Sequence, residues 1–523
     1  MSLLRSTAVV SAMTTLSRIL GLVRDMVFAR MFGAEAGTDA FFIAFKIPNF
    51  LRRLFAEGAF SLAFVPVLTE YKARRGRDEV SELIRYTAGT LTGVLFVITV
   101  LAVLAAPLLT MLFAPGFIDE PERFTLTADM LRITFPYLLF ISLTALMGSV
   151  LNCYGRFAVP AFTPVLLNVV LISVALWVAP LFERPVVALA WGVFVAGIAQ
   201  LLFQLPFVLR LGLLRWPRWG WRESGVRRIG KLMLPAIFGS SVAQVNLLFD
   251  TIIASFLVAG SVSWLYYSDR LIEFPLGVLG IALATVILPS LSQKHADADP
   301  AAFSRMLDWA LRWVLLIGAP AMLGLALLAG PLLITLFNYG EFDTQDVILS
   351  RMSLVAYSVG LLAFISIKVL APGYYARQDT RTPVRIGIIA MLANMGLNLL
   401  FVMPMVWLDM AGPHSGLALA TSCSAFLNAG LLYRGLRRDG VLQPAPGWVR
   451  LFLQVTMAGA AMVGLLLWGA GGLDVWQARD ATARVGWLLF WVVAGGGLFF
   501  LVLLLTGVRP RQFFRVSQGG GRH

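Results

Sequence analysis

Residues 485–508 read VGWLLFWVVAGGGLFFLVLLLTGV and contain no charged side chain. Because about 20 apolar residues in a helix cross the ~30 Å hydrocarbon core of a bilayer, this stretch predicts a membrane-spanning helix. Similar stretches earlier in the chain predict an all-α polytopic membrane protein with about 14 transmembrane helices. The predicted spans are residues 3–33, 37–66, 84–113, 124–154, 158–182, 185–211, 227–259, 263–292, 303–337, 346–376, 382–407, 412–437, 448–471 and 483–508.

The composition of the chain excludes several classes of protein. Of its 523 residues, 59% are hydrophobic and 13% are charged, whereas a soluble domain has about 25% charged residues. A soluble enzyme and a nucleic-acid-binding module are therefore excluded, and the net charge of +14 fits cytoplasmic loops rich in Lys and Arg. Metalloprotease, nucleophile-elbow and P-loop motifs do not occur in the sequence, so we expect a transporter without a cofactor rather than an enzyme.

Basic residues are distributed unequally between the two sides of the predicted topology. If the N-terminus lies inside, 27 Lys and Arg residues fall in inside segments. Only Arg123, Arg184 and Arg479 fall in outside loops. Because cytoplasmic loops of membrane proteins collect Lys and Arg, this asymmetry predicts that both termini are cytoplasmic.

The two halves of the chain share features at a nearly constant spacing. Pro66 and Pro289, near the ends of spans 2 and 8, are 223 residues apart, and Asp25 and Asp250 in spans 1 and 7 are 225 apart. Two parallel six-helix bundles would produce this pattern, and chance similarity between apolar helices is the alternative. The predicted domains are an N-terminal six-helix bundle (1–211), a basic cytoplasmic linker (212–230), a C-terminal six-helix bundle (231–437), a helix pair (438–508) and a basic cytoplasmic tail (509–523).

Spans 1, 2, 8 and 10 carry a surplus of cations. A charge at the centre of a membrane helix costs at least ~2.5 kcal/mol, so these side chains must line a wet cavity or find partners. The sequence therefore predicts a central cationic cavity, while Arg484 and other residues near span ends are expected to snorkel towards water. The deep cations are Arg18, Arg24, Lys46, Arg52, Arg53, Arg270 and Lys368.

A cationic cavity favours an anionic substrate. Arginine forks match the oxygens of phosphate, and Asn49 and Ser263 are candidate neutral donors. The alternative is that the arginines gate the cavity through salt bridges. The candidate gate residues are Asp39, Glu57, Asp269 and Glu273, with Arg53–Glu57 and Arg270–Glu273 at helical spacing and Asp39–Arg270 as a pair between the two bundles.

Four segments carry a family resemblance. Residues 17–25 (SRILGLVRD), 39–60 (DAFFIAFKIPNFLRRLFAEGAF), 267–275 (YSDRLIEFP) and 371–377 (APGYYAR) resemble the MurJ (MviN) lipid II flippases of the multidrug/oligosaccharidyl-lipid/polysaccharide exporter superfamily. The resemblance covers nearly the whole chain. It implies a protein of the bacterial cytoplasmic (inner) membrane that moves lipid-linked peptidoglycan precursor to the outer leaflet by alternating access, and so serves cell-wall biogenesis and cell shape.

The resemblance also implies roles for particular residues and partners. Helices 13 and 14 match a groove for the polyprenyl tail, and lipid II and membrane lipids are the implied partners of a monomer, with the cell-wall synthesis machinery as a further candidate. Export of another polyprenyl-pyrophosphate-linked sugar or of a drug is the alternative function. A membrane glycosyltransferase would need a large outside loop, and the longest one here has about a dozen residues. The residues that match cavity residues needed by the family are Arg18, Arg24, Asp39, Arg52 and Arg270.

Two energy sources stay open. Some relatives bind sodium with acidic and amide ligands of helices 7, 11 and 12, and Asp250, Asn394, Asn398 and Thr421 are the candidate ligands here. Those relatives have a second carboxylate where this chain has Asn398, and a single carboxylate makes a weaker oxygen site for a cation. We therefore expect the membrane potential to drive transport, with a monovalent cation as the alternative.

Overall fold

The computed structural model describes residues 3–53 and 59–508 of the chain. All regular secondary structure in these residues is helical, which confirms the predicted all-α class. The chain divides into two compact units, each described by itself below. The first contains Met1–Ser263 and Gly340–Phe342, and the second contains Trp264–Tyr339 and Asp343–His523.

The apolar segments of the N-terminal half form the helices of the first unit. In this unit α1 packs on α8, α2 on α6 and α10 on α3, and a buried core that includes Phe64, Ile84 and Leu151 joins α3, α4 and α7. Its helices are α1 (Leu3–Phe32), α2 (Ala36–Leu51), α3 (Ser61–Arg74), α4 (Arg77–Leu104), α5 (Ala106–Phe113), α6 (Pro121–Thr134), α7 (Tyr137–Cys153), α8 (Ala158–Ser173), α9 (Pro185–Leu209) and α10 (Ser224–Ser255).

The second unit is centred on one long helix, α15, which packs against α13 and α17. Leu307, Val369 and Tyr374 lie in its buried core, and α18 packs on α20. The helices of this half are α11 (Ser261–Pro275), α12 (Ile281–Ala296), α13 (Pro300–Leu327), α14 (Ala329–Leu336), α15 (Thr344–Tyr375), α16 (Arg381–Trp407), α17 (His414–Arg438), α18 (Trp448–Gly469), α19 (Leu473–Gln477) and α20 (Ala481–Leu505).

Within the described residues, 10 helical stretches are long and apolar enough to cross a membrane. They coincide with predicted spans 3 to 6 and 9 to 14, usually within a few residues at each end. The four spans outside this set are 1, 2, 7 and 8, and three of them carry deep cations. Helices α2 and α11, which belong to spans 2 and 8, have 16 and 15 residues and are shorter than any of the 10 stretches. The count of about 14 spans stays a prediction.

The division into units follows packing, whereas the predicted domains follow a sequence repeat. Helix α10 lies beyond most of the predicted linker 212–230, yet it packs on α3 and belongs to the first unit. A repeat boundary and a packing boundary need not coincide, because a helix can be related to one half in sequence and contact the other. The predicted domains therefore stay predictions.

Arg484 is expected to snorkel towards water, but in the structure it is buried and only 9% of its surface is exposed. Its Nε donates to the carbonyl oxygens of Trp476 and Arg479 at 3.1 and 3.0 Å. Its Nη2 donates to the carbonyl oxygen of Gln477 at 3.0 Å. The guanidinium therefore satisfies carbonyl groups of the turn that leads from α19 into α20.

We expect Arg484→Met to lower the apparent melting temperature of the purified protein in detergent. Leaving a buried acceptor without a donor costs about 1–3 kcal/mol, and this substitution removes the donor from several carbonyl groups at once. The matched control is Arg437→Met, which removes an exposed arginine from the end of α17. Equal melting temperatures of the two variants would contradict a stabilising role for Arg484.

Candidate functional site

Asp39, in the first turn of α2, is fully buried and surrounded by donors. Arg123 Nη2 and the backbone N–H of Gly260 donate to Asp39 Oδ2 at 2.6 and 2.8 Å. The backbone N–H and the hydroxyl of Ser263 donate to Asp39 Oδ1 at 2.8 and 2.5 Å. We call these four residues the Asp39 cluster; all of them belong to the first unit.

Arg123 is held from three sides although the sequence analysis placed it in an outside loop. It lies in the first turn of α6 and is 3% exposed. Its Nη1 lies 3.2 Å from Glu120 Oε1, and its guanidinium carbon lies 3.7 Å from the centre of the Phe117 ring. The sequence offered one signal that Arg123 has a special role: it is one of only three basic residues in the predicted outside loops.

Arg24 on α1 is buried and shared between a carboxylate and an amide. Its Nε and Nη2 donate to Asp25 Oδ1 at 3.0 and 2.7 Å, and its Nη1 donates to Asn168 Oδ1 at 3.1 Å. Asn168 on α8 in turn donates to the carbonyl oxygen of Ser17 at 3.0 Å. We call Arg24, Asp25 and Asn168 the Arg24 cluster. Sequence reasoning missed Asn168, the one amide side chain of the mostly apolar α8.

The other predicted site residues of the first unit lie near the end of α2 or on α1. Arg52 Nε donates to Asn49 Oδ1 at 2.8 Å, and Lys46 and Arg53 are half-buried. Arg18 is exposed on α1. Glu57 lies outside the described residues, so its predicted pair with Arg53 stays a prediction.

In the second unit, Arg270 has the partners that its own helix offers. Its Nη1 donates to Glu273 Oε2 at 2.8 Å and its Nη2 to the Tyr266 hydroxyl at 3.3 Å. This is the predicted i,i+3 pair. The predicted pair of Asp39 with Arg270 would join the two units, and it stays a prediction. Asp269 is half-buried.

Lys368 and three of the four candidate sodium ligands lie on helices of the second unit. Lys368 is exposed on α15. Asn394 and Asn398 on α16 are fully buried, and Asn394 Oδ1 accepts a hydrogen bond from Ser424 at 3.3 Å. Thr421 donates to the carbonyl oxygen of Leu417 at 3.0 Å, while Asp250 belongs to the first unit. Among the described residues there is no group of three or more His, Cys, Asp or Glu side chains that could hold a metal ion.

Most of the chain matches known proteins. The family model of the lipid II flippase MurJ matches residues 28–478. A relative from Vibrio cholerae serotype O1, named "Probable lipid II flippase MurJ", is 52% identical over 517 residues, which cover 98% of this chain and 97% of the relative. The lipid II flippase MurJ of Burkholderia cenocepacia is 44% identical over 98% of this chain and 99% of its own length.

Solved structures show the same fold. A lipid II flippase MurJ in an inward closed conformation aligns with a TM-score of 0.78 at 26% identity, over 97% of this chain and 99% of that one. An inward-facing multidrug resistance MATE family transporter of the MOP superfamily aligns with a TM-score of 0.67 at 13% identity, over 83% of this chain and 98% of that one. The fold and the relatives are therefore those of a multi-pass membrane transporter rather than an enzyme. The chain belongs to the MurJ family of lipid II flippases.

We expect Arg123→Met to destabilise the protein more than the double substitution Asp39→Asn with Arg123→Met. Removing one partner of a buried ion pair leaves an uncompensated charge, which costs about 3–5 kcal/mol, whereas replacing both partners is often nearly neutral. The amide introduced at position 39 would carry no charge and would keep one oxygen for the two donors of Ser263. Thermal unfolding in detergent measures the difference, and a double variant less stable than Arg123→Met would contradict the pairing.

Proposed function

We propose that the chain moves lipid II from the cytoplasmic to the outer leaflet of the bacterial cytoplasmic membrane by alternating access. The observation that carries this proposal is similarity to proteins named lipid II flippase over 98% of the chain. The buried cations supply a chemistry that suits the substrate, because arginine forks bind phosphate oxygens in bidentate geometry.

In this proposal the Arg24 cluster takes part in binding the pyrophosphate. Arg24 donates to Asp25 and Asn168, so an incoming phosphate would compete with one carboxylate for a guanidinium that is already oriented. At Arg52, whose Nε donates to the neutral oxygen of Asn49, a phosphate would compete with an amide instead of a carboxylate. The remaining members of the proposed substrate-binding set are Arg18, Lys46, Arg53, Ser263, Arg270 and Lys368, and the proposed gate residues are Asp39, Glu57, Asp269 and Glu273.

The proposal extends to topology and partners. We infer from the distribution of Lys and Arg that both termini face the cytoplasm. We propose that α18 and α20, which expose apolar surface along much of their length, bind the polyprenyl tail. The transporter would act as a monomer and deliver its substrate to the cell-wall synthesis machinery on the outer side.

We propose the membrane potential as the energy source. Moving one elementary charge across the membrane is worth ~2.3 kcal/mol per 100 mV, and a site lined by arginines carries such charges. The alternative is a monovalent cation bound by Asp250 with Asn394, Asn398 and Thr421, for which a single carboxylate gives a weak oxygen site.

We expect Arg24→Ala to abolish transport of lipid II and Arg24→Lys to restore part of it, because lysine keeps the charge but loses the bidentate fork. The measurement is leaflet-specific labelling of lipid II in cells depleted of the wild-type protein and supplied with the variant. Arg132→Ala, which removes an arginine paired with Asp129 at the surface of α6, is the matched control. Normal labelling with Arg24→Ala at wild-type protein levels would remove Arg24 from the substrate site.

We expect collapse of the membrane potential to stop lipid II from reaching the outer leaflet, while replacement of sodium by potassium has little effect. The potential acts on the arginine charges directly, whereas sodium would need the weak Asp250 site. The same labelling assay, with a potassium ionophore and with exchanged cations, separates the two alternatives. Strong sodium dependence that is lost in Asp250→Asn would favour coupling to the cation.

A further inference from the structure

The chain between α9 and α10, residues 211–222, lies along one face of α4 in the first unit. We call it the connecting segment. Ser81 donates to the carbonyl oxygen of Leu213 at 2.8 Å, and Arg85 Nε donates to that of Trp216 at 3.2 Å. Further towards the C-terminus of α4, the N–H of Gly220 donates to the hydroxyl of Thr90 at 3.0 Å. The segment is therefore held at successive levels of the helix.

Two glycines on α4 allow this close approach. A Cβ atom on Gly89 would lie 2.2 Å from the carbonyl oxygen of Arg218, and one on Gly93 would lie 2.8 Å from the ring of Trp219. Ser81, Arg85, Gly89 and Gly93 follow each other at intervals of four residues and so share a face of the helix. The stripe is ~18 Å long at 1.5 Å per residue, so the segment reaches well beyond the charged first turns of α4.

The connecting segment presents tryptophans and arginines to the outside of the unit. Trp216, Trp219 and Trp221 are 88%, 58% and 55% exposed, although large aromatic side chains are usually buried. Arg218 and Arg222 are exposed as well and form no ion pair with the described residues. Arg215, by contrast, is neutralised by Asp78 and Glu82 at 2.5 and 2.8 Å.

The surface above the segment on α4 is apolar and exposed. Phe96, Val97 and Leu101 are 58%, 56% and 60% exposed, as expected for side chains that face lipid tails. Tryptophan concentrates where lipid tails meet headgroups, and arginine near the cytoplasmic leaflet is attracted to anionic lipids. From the N-terminus of α4 onward, its charged residues come first, then the level of the tryptophans of the connecting segment, and then its apolar surface. Headgroups, interface and lipid tails follow each other in the same order in a membrane leaflet.

We propose that the connecting segment is a binding site for the headgroups of anionic phospholipids in the cytoplasmic leaflet. Trp216, Trp219 and Trp221 lie at the level of the glycerol backbone, and Arg218 and Arg222 contact the phosphates. The site is separate from the clusters assigned to lipid II and depends on the cytoplasmic placement of the segment, not on the flippase activity. A cytoplasmic protein would be the other kind of occupant, and the test distinguishes it.

The test uses the full-length protein in a nonionic detergent, titrated with phosphatidylglycerol or phosphatidylcholine that carries brominated acyl chains. Bromine quenches tryptophan fluorescence on contact. The variant with Trp216, Trp219 and Trp221 all replaced by Phe supplies the signal of the other tryptophans. Subtracting the quenching curve of this variant from that of the wild-type protein gives the quenching of the three tryptophans of the connecting segment.

We expect phosphatidylglycerol to quench these three tryptophans at lower concentration than phosphatidylcholine. Replacing Arg218 and Arg222 by Gln should raise the half-saturating concentration of phosphatidylglycerol roughly 25-fold, because each of the two arginines near an anionic surface contributes about a factor of five. The curve for phosphatidylcholine should not change. The matched control replaces Arg437 and Arg438, two exposed arginines at the end of α17, by Gln and should leave both curves unchanged.

Three results would overturn the proposal. They are equal quenching by the two lipids, an equal effect of the two arginine pairs, and no quenching of the three tryptophans by either lipid. The last result would leave a protein partner as the occupant. Because no lipid II is present, the outcome does not depend on whether the chain is a flippase.

Discussion

A charge buried inside a protein needs a partner, and this constraint governs the polar interior of the first unit. Asp39 receives four donors, among them Arg123 from α6, and Arg24 is shared between Asp25 and Asn168 on α8. An unpaired buried charge is far more costly than a paired one. These clusters therefore hold α1 against α8 and α2 against α6 in a fixed register, which apolar packing alone specifies less sharply.

Contacts within one helix could be predicted from the sequence, whereas contacts between helices could not. The pair of Arg270 and Glu273 follows from a spacing of three residues, and it is present at 2.8 Å. Asp39 and Arg123 are separated by 84 residues, and hydropathy assigned Arg123 to a loop because its neighbours are acidic. A pattern along one helix carries no information about which other helix lies beside it, so the partner of Asp39 needed the structure.

The apolar spans themselves were predictable because a membrane sets their length and polarity. Predicted spans 3 to 6 and 9 to 14 match long apolar helices of the structure. Connections are less predictable, as Arg484 and the connecting segment show. Arg484 caps carbonyl groups of a turn, and residues 211–222 lie along α4 because Gly89 and Gly93 leave room. The two glycines on α4 were visible in the sequence, but they did not indicate what fills the space beside them.

The two clusters of the first unit differ in what an anion could do to them. Both oxygens of Asp39 accept two hydrogen bonds each, and the cluster is anchored by backbone N–H groups that a substrate cannot carry away. Arg24 donates to the side chains of Asp25 and Asn168, and a pyrophosphate offers it more charge than Asp25 does. A ligand shifts a conformational equilibrium only through different interactions with the two states. In the proposed mechanism, exchange of partners at Arg24 supplies that difference, and movement of the gate residue Asp39 requires release of the donors of the Asp39 cluster.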